Sequence, residues 1–221
     1  MDWCVGLIDS CGGWPGASRA AAFLTTGEGV ERREPLPDPT GHGSRIAGLL
    51  QRGRALDLLL AQVFTTAAPT TGAAVAAAVD WVVGEGANLV HLSLGLAADR
   101  SVLREAITRA LESGVLVVAA VPARGPSAPV YPAAYDGVIR GTGDARCAPG
   151  EISSLGGQRF GACPRLTQRM ADVAPGGEPG GASIGAAWLT WSLLGQPPPA
   201  SAAGAVAALA GAARYVGREC R

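Results

Sequence analysis

Short apolar runs alternate with segments of helical periodicity along most of this chain. The apolar runs have the length of β-strands and lie at residues 5–8, 60–64, 89–94, 115–121 and 137–141. Segments with apolar residues at helical spacing separate or follow them, at residues 44–51, 72–83, 101–112, 182–194 and 202–215. The run at 115–121 is apolar throughout, which is typical of a strand covered on both faces of its sheet.

Strands that alternate with helices predict parallel βαβ units. The predicted fold class is therefore α/β, with a mainly parallel sheet and helices on both faces, in three layers. No internal repeat and no long linker divides the sequence, so we expect a single domain over residues 1–221. Residues 27–41 and 143–169 show no clear periodicity and are predicted to be long loops, which usually serve function or a partner. In such a sheet, ligands bind beyond the carboxyl ends of the strands.

Composition and charge exclude several classes of protein. The 18 basic residues, all Arg, balance 18 acidic ones, and this neutrality argues against a nucleic-acid binder. With 48% hydrophobic and 16% charged residues, the chain is not intrinsically disordered. The N-terminus lacks the basic and apolar regions of a signal peptide, and no apolar run is long enough to span a membrane. Five Cys without a CxxC pair make a zinc site improbable in a chain that we expect to be cytoplasmic.

Three motifs carry an acid, a base and a nucleophile in that order. Asp9 ends an apolar run, His42 lies in a Gly-His-Gly that precedes a helix, and Ser183 enters a helix of small residues. A Ser needs a base to take its proton, and a His needs an acid to fix its tautomer. Each residue also has an ordinary structural role, Ser183 as a helix N-cap for example, but the set favours a catalytic triad. The second His, His91, lies in an apolar run and is predicted to be a satisfied core residue.

At these motifs the chain resembles the subtilisin-like serine protease family. The family has an Asp at the end of its first core strand, a Gly-His-Gly-Thr-His-Val-Ala-Gly motif and a Gly-Thr-Ser-Met-Ala-x-Pro motif. Similar segments lie between and after them, at residues 88–95, 113–120, 131–139 and 173–176. The resemblance implies that Ser183 is the nucleophile, His42 the general base and Asp9 the residue that orients His42.

The resemblance also implies a substrate-binding edge and an altered oxyanion hole. Ser93, Leu94 and Gly95 match the family's Ser-Leu-Gly edge, which binds an extended peptide as an added strand. The family's oxyanion Asn is replaced by Ala123, beside Arg124, and losing such a donor costs roughly 100- to 1000-fold in turnover. The backbone N–H of Ser183 is then left to bind the oxyanion, unless Arg124 or the substrate supplies a second donor. Further departures from the family motifs are Arg45, Ala182 and Ala187.

The departures favour a specialised enzyme. Only eight residues precede Asp9, so we expect no propeptide and a domain that folds unaided. We predict a serine endopeptidase that makes one processing cut, such as leader removal, in a dedicated protein or peptide partner. In its size, the expected lack of a prosegment and its altered motifs, the chain resembles the small subtilases that mature the peptide subunit of quinohemoprotein amine dehydrogenase. No metal, organic cofactor, nucleic acid or membrane is implied. The alternative hypothesis is a catalytically inactive subtilase fold that binds a peptide or partner subunit. A third hypothesis is an esterase that uses the same triad.

Overall fold

The apolar runs form the strands of one largely parallel sheet, and the helical segments cover it. The computed structural model describes residues 2–66, 69–123, 128–166 and 181–217. Its strands are β1 (Cys4–Asp9), β2 (Arg19–Thr26), β3 (Gly29–Arg33), β4 (Asp57–Gln62), β5 (Leu89–Leu92), β6 (Leu116–Ala120), β7 (Ile139–Gly143), β8 (Ile152–Ser154), β9 (Arg159–Ala162) and β10 (Tyr215–Val216). Its helices are α1 (His42–Leu50), α2 (Gly72–Gly84), α3 (Ser101–Glu112), α4 (Ala182–Leu193) and α5 (Ala202–Gly211).

The strand order within the described ranges is β10-β8-β9-β7-β6-β5-β1-β4-β2-β3. Between β9 and β2 in this order, each strand is parallel to its neighbours. The antiparallel pairs are β2 with β3 and β8 with β9. The predicted α/β class with a mainly parallel sheet is confirmed. None of the described helices is long and apolar enough to cross a membrane.

Two apolar cores lie on opposite faces of the sheet. Helices α2 and α3 pack on one face, and α3 shows the expected stripe, with Leu103, Ala106, Ile107 and Ala110 buried. Helices α1, α4 and α5 pack on the other face, where Trp188 of α4 is the largest fully buried side chain. The predicted three-layer arrangement therefore results from burial on both faces of a sheet whose central strands are apolar throughout.

The prediction of two long loops was wrong. Strand β3 lies within residues 27–41, and β8 and β9 lie within residues 143–169. All three belong to the antiparallel pairs near the sheet edges. Charged and polar residues are normal in such strands, and they obscure the alternation of apolar and polar positions. The predicted helix at 202–215 is also too long, because α5 ends at Gly211 and residues 215–216 form β10. Runs of Ala and Gly carry too weak a pattern to fix a helix end.

Glycine brings the helix that carries Ser183 close to the sheet. A Cβ on Gly185 of α4 would lie 2.1 Å from the backbone oxygen of Thr142 in β7. A Cβ on Gly141 of the same strand would lie 2.6 Å from the Cα of Ala186. Because the opposing atoms belong to the backbone, they cannot move aside as a flexible side chain can. These two glycines therefore set how close α4 lies to the sheet.

We expect Gly185→Ala to lower the free energy of unfolding by about 1–3 kcal/mol, because the added methyl group overpacks the α4–β7 contact. Gly84→Ala is the matched control, since a Cβ there meets nothing within 4 Å. Ala favours a helix over Gly by up to about 1 kcal/mol, so the control should be neutral or stabilising. Urea unfolding measures both variants, and an equal stability for the two would contradict the close approach.

Candidate active site

The register of two central strands brings the predicted acid and the predicted substrate edge together. Ile8 of β1 is paired in parallel with Leu92 of β5. Asp9, the last residue of β1, and Ser93, the residue after β5, therefore lie at the same carboxyl edge of the sheet. This is the edge where ligands bind in a sheet of this class.

Asp9 and His42 form a buried hydrogen-bonded pair. The Nδ1 of His42 lies 2.8 Å from Oδ1 and 3.0 Å from Oδ2 of Asp9. A carboxylate only accepts, so Nδ1 carries the proton and Nε2 is left as the basic nitrogen of the neutral ring. The side chain of Asp9 is 3% exposed and that of His42 is 30% exposed. The pair therefore has a buried acid and a base that is partly exposed to solvent.

Ser10 holds the carboxylate of Asp9 in place. Its backbone N–H and its hydroxyl donate to Oδ1 of Asp9, at 2.6 and 3.2 Å. The Ser10 hydroxyl also accepts from the backbone N–H of Gly43, at 3.0 Å, in the first turn of α1. One side chain thus connects the end of β1 to the start of the helix that carries His42.

Asp38 fixes the start of α1. Its carboxylate accepts hydrogen bonds from the backbone N–H of Gly41 and from both the N–H and the hydroxyl of Ser44, at 2.7–2.8 Å. These bonds satisfy N–H groups that have no partner within the helix and place a negative charge at its positive end. They also keep the pKa of Asp38 below its usual value, in spite of its burial.

The pKa of His42 is raised above its ordinary value. Burial alone would lower it by disfavouring the imidazolium, and the nearby Arg45 acts in the same direction. The hydrogen bond and negative charge of Asp9, with a smaller effect of Asp38, outweigh both. A base that binds its proton more tightly suits proton transfer from a hydroxyl.

Ser183 is the second residue of α4, directly after Ala182. The N-cap of this helix is Gly181, at φ 104° and ψ −143°, so the N-cap role considered for Ser183 is wrong. The Ser183 hydroxyl donates to the backbone oxygen of Ser93, at 3.2 Å. This bond places the hydroxyl at the edge where β1 and β5 end. The N–H groups of the first helical turn and the helix dipole lie there as well, and both stabilise a developing negative charge.

The predicted substrate edge is partly buried. Ser93 and Leu94 have exposed fractions of 8% and 6%, whereas Gly95 is exposed. A Cβ on Gly95 would lie 2.3 Å from Cγ1 of Val130, so a larger residue there would displace the Val130 side chain. The next residue, Leu96, forms an isolated antiparallel bridge with Tyr131.

The segment that carries Ala123 is fixed by a side chain from a distant strand. Nη2 of Arg159, the first residue of β9, donates to the backbone oxygens of Pro122 and Ala123, both at 2.9 Å. Ala123 itself is exposed. Arg124, the other residue predicted at the oxyanion site, lies outside the described residues, as does the predicted family segment at 173–176.

The single Asn of the sequence cannot supply the missing donor. Asn88 precedes β5, at the opposite end from Ser93. Its Oδ1 accepts from the N–H of Cys4 at 3.1 Å, and its Nδ2 donates to the oxygen of Asp2 at 2.9 Å. Its role is to tie the first strand to β5.

Sequence patterns did not reveal the supporting residues Ser10, Asp38 and Arg159. Each acts through a single polar side chain in a loop or at a strand end, where no periodicity marks it. The one usable signal was Asp38, since a short acidic side chain shortly before a helix is typical of a cap. Nowhere in the described ranges do three or more His, Cys, Asp or Glu side chains gather to bind a metal.

Curated proteins with similar sequences are subtilisins and related proteases. The chain is 33% identical over 113 residues to the minor extracellular protease Epr of Bacillus subtilis, covering 46% of this chain and 18% of Epr. It is 29% identical over 136 residues to subtilisin DY of Bacillus licheniformis, covering 55% of this chain and 50% of subtilisin DY. The chain thus spans half or less of the length of these two relatives. No family model matches it.

Solved structures share its fold. A cold adapted subtilisin-like serine proteinase aligns with a TM-score of 0.69 and 15% identity, over 95% of this chain and 82% of that one. The structure of the prenylagaramide maturation protease PagA aligns with a TM-score of 0.60 and 17% identity, over 90% of this chain and 79% of that one. The fold is therefore the subtilisin-like α/β fold.

An NMR titration of the two His residues tests the Asp9–His42 pair. We expect the His42 ring to titrate above about 6.5, the ordinary value, because Asp9 favours the imidazolium. In Asp9→Asn that charge is lost while burial remains, so the midpoint should fall below the wild-type one. His91 does not interfere, because burial lowers its pKa to about 3. Asp80→Asn, at an exposed ion pair with Arg109, is the control and should leave the midpoint unchanged. An unchanged midpoint in Asp9→Asn would contradict the pairing.

Proposed function

We propose that this chain, which is subtilisin-like in sequence and in fold, is a serine endopeptidase that makes a specific processing cut in one protein or peptide partner. One observation carries this proposal: the side chains of Asp9, His42 and Ser183 lie at the same carboxyl edge of the sheet. A buried Asp9 carboxylate pairs with Nδ1 of His42, and the Ser183 hydroxyl, at the N-terminus of α4, is anchored on Ser93 at the end of the neighbouring strand.

In the proposed mechanism, these three residues act as nucleophile, base and orienting acid. The Ser183 hydroxyl turns from the Ser93 oxygen to Nε2 of His42, which takes its proton as Ser183 attacks the peptide carbonyl. Asp9 keeps Nδ1 protonated and stabilises the imidazolium, which then returns the proton to the leaving amine. The N–H of Ser183 and the α4 dipole stabilise the oxyanion. Water then hydrolyses the acyl-enzyme, with His42 again as the base.

Two observations support a narrow substrate range. Ala123 supplies no side-chain donor to the oxyanion, so turnover should be low and should depend on tight binding of the correct substrate. The structural neighbour PagA is described as a maturation protease. A dedicated cut, such as leader removal, needs few turnovers, and we propose this role here.

The proposed place of this cut is the cytoplasm. Four cysteines of the described residues are free thiols, namely Cys4, Cys11, Cys147 and Cys163. Free thiols are the rule in a reducing compartment. Burial raises the pKa of Cys4, Cys11 and Cys147 to about 11, so these thiols are unreactive.

Intact-mass analysis of proteins that co-purify with the enzyme tests the endopeptidase role. We expect one new cleavage product with the wild type and a rate reduced by more than about a thousandfold with Ser183→Ala, because only the nucleophile is lost. Labelling of Ser183 by a fluorophosphonate is the parallel readout for its reactivity. Stable complexes with both proteins and no cleavage by either would favour a binding module. Hydrolysis of small activated esters without peptide cleavage would favour an esterase.

Restoring an amide at position 123 tests the oxyanion assignment. We expect Ala123→Asn to raise kcat by about 100-fold, the lower end of the roughly 100- to 1000-fold that a single oxyanion donor contributes. The site is exposed, so the larger side chain meets little steric resistance. Ala123→Leu is the control of similar size without a donor and should give no gain. Equal kcat values for the two variants, measured on p-nitrophenyl butyrate and on the partner, would exclude position 123 from the oxyanion site.

A further inference from the structure

His91 is a polar side chain at the centre of the sheet. It is 0% exposed, and strand β5 places it between Leu7 of β1 and Val118 of β6. A buried polar ring is costly unless its hydrogen bonds are made, and a neutral imidazole has one donor and one acceptor to satisfy. An apolar residue of similar size would avoid that cost. The presence of His91 therefore calls for partners that use both nitrogens.

Both nitrogens of His91 bind hydroxyl groups. Nδ1 lies 2.9 Å from Oγ1 of Thr190, which is itself fully buried on α4. Nε2 lies 2.7 Å from Oγ of Ser93. Each hydroxyl can donate or accept, so one neutral imidazole satisfies both. Burial, reinforced by the charge of His42, lowers the pKa of His91 to about 3, so the ring stays neutral at the pH where His42 titrates.

These bonds close a ring that contains the nucleophile. Thr190 follows Ser183 by seven residues on α4, which is about two turns, so both side chains lie on the same face of the helix. Ser93 binds His91 through its hydroxyl and Ser183 through its backbone oxygen. His91 of β5 and Ser93, directly after it, therefore join this segment to helix α4 twice, once at Thr190 and once at Ser183.

We propose that His91 is a positioning residue, which holds Ser93 in register with α4 through hydrogen bonds to Ser93 and Thr190 and so fixes Ser183 and the adjoining substrate edge. This inference rests on the proposed function and adds a residue to its site. It adds a positioning role to the satisfied core residue that the sequence predicted at His91. Without the imidazole, the hydroxyls of Ser93 and Thr190 lose their common partner, and the Ser93 oxygen is free to move away from Ser183.

The test compares the removal of the hydrogen bonds with their conservation. We expect His91→Leu to lower kcat by about 10- to 100-fold, the effect of misplacing a reacting group by about an ångström. His91→Gln keeps a donor and an acceptor and should restore kcat to within about threefold of the wild type. Ser93→Ala should lower kcat as well, and His91→Leu combined with Ser93→Ala should be no slower than His91→Leu alone, since both act through one connection. Additive losses, or equal kcat for Leu and Gln at position 91, would overturn the proposal.

A matched pair of threonines separates positioning from general packing. Thr190→Val removes the hydroxyl that binds His91 and should lower kcat several-fold. Thr142→Val removes another buried hydroxyl, which has no hydrogen-bond partner among the described residues, and should leave kcat unchanged. Equal kcat losses for the two valine variants would contradict the role of His91. If His91→Leu does not fold, the kcat values of Ser93→Ala and Thr190→Val still test whether His91 positions Ser93.

Amide hydrogen exchange keeps the test independent of catalysis. If the wild type neither cleaves nor reacts with a fluorophosphonate, the proposed function fails, but the connection can still be measured. We then expect faster exchange in residues 93–96 and 183–186 of Ser93→Ala and Thr190→Val than in the wild type and Thr142→Val. Unchanged exchange in both segments would overturn the inference by itself. Faster exchange with normal kcat would also overturn it, because the connection would then be structural only.

Discussion

The parallel pairing of β1 with β5 is the constraint on which the site depends. It fixes the ends of two apolar strands at one edge, so that Asp9 at the end of β1 and Ser93 directly after β5 lie side by side. The buried hydrogen bonds of the strands set this register, and a shift by one residue would turn every side chain to the opposite face. The Asp9–His42 pair and the Ser93–Ser183 bond are short polar contacts, and they can form only when β1 and β5 are paired in this register.

The site combines burial with charge in a way that a surface pair could not. Asp9 is almost fully buried, so its charge acts on His42 with little screening by water. The backbone and hydroxyl of Ser10 satisfy that buried carboxylate, which would otherwise be costly. Asp38 adds a second negative charge and at the same time caps the helix that carries His42. The same side chains thus stabilise the local structure and raise the basicity of the imidazole.

The sequence was sufficient to predict the fold class. It also placed Asp9, His42 and Ser183 at the ends of strongly patterned elements, and their action as a triad stays a prediction. Ends of parallel strands and starts of the following helices meet at one edge, so position in the pattern implies position in space. Strands β3, β8 and β9 near the sheet edges were not predicted, because their polar and charged residues interrupt the alternation of apolar and polar positions. The partners of His91 could not be predicted either. The contact of His91 with Thr190 joins distant segments, and the seven-residue spacing of Ser183 and Thr190 leaves no local signal in the sequence.

The two faces of the sheet differ in what they contribute. Helices α1 and α4, which carry His42 and Ser183, both pack on one face, while α2 and α3 form the other core. The layer of α2 and α3 therefore supports the sheet without presenting any of the three groups. Substitutions, insertions and attached domains on that layer should be tolerated in the course of evolution so long as its buried contacts with the sheet are kept. The opposite layer, in which small shifts change the geometry of the site, has far less freedom to vary.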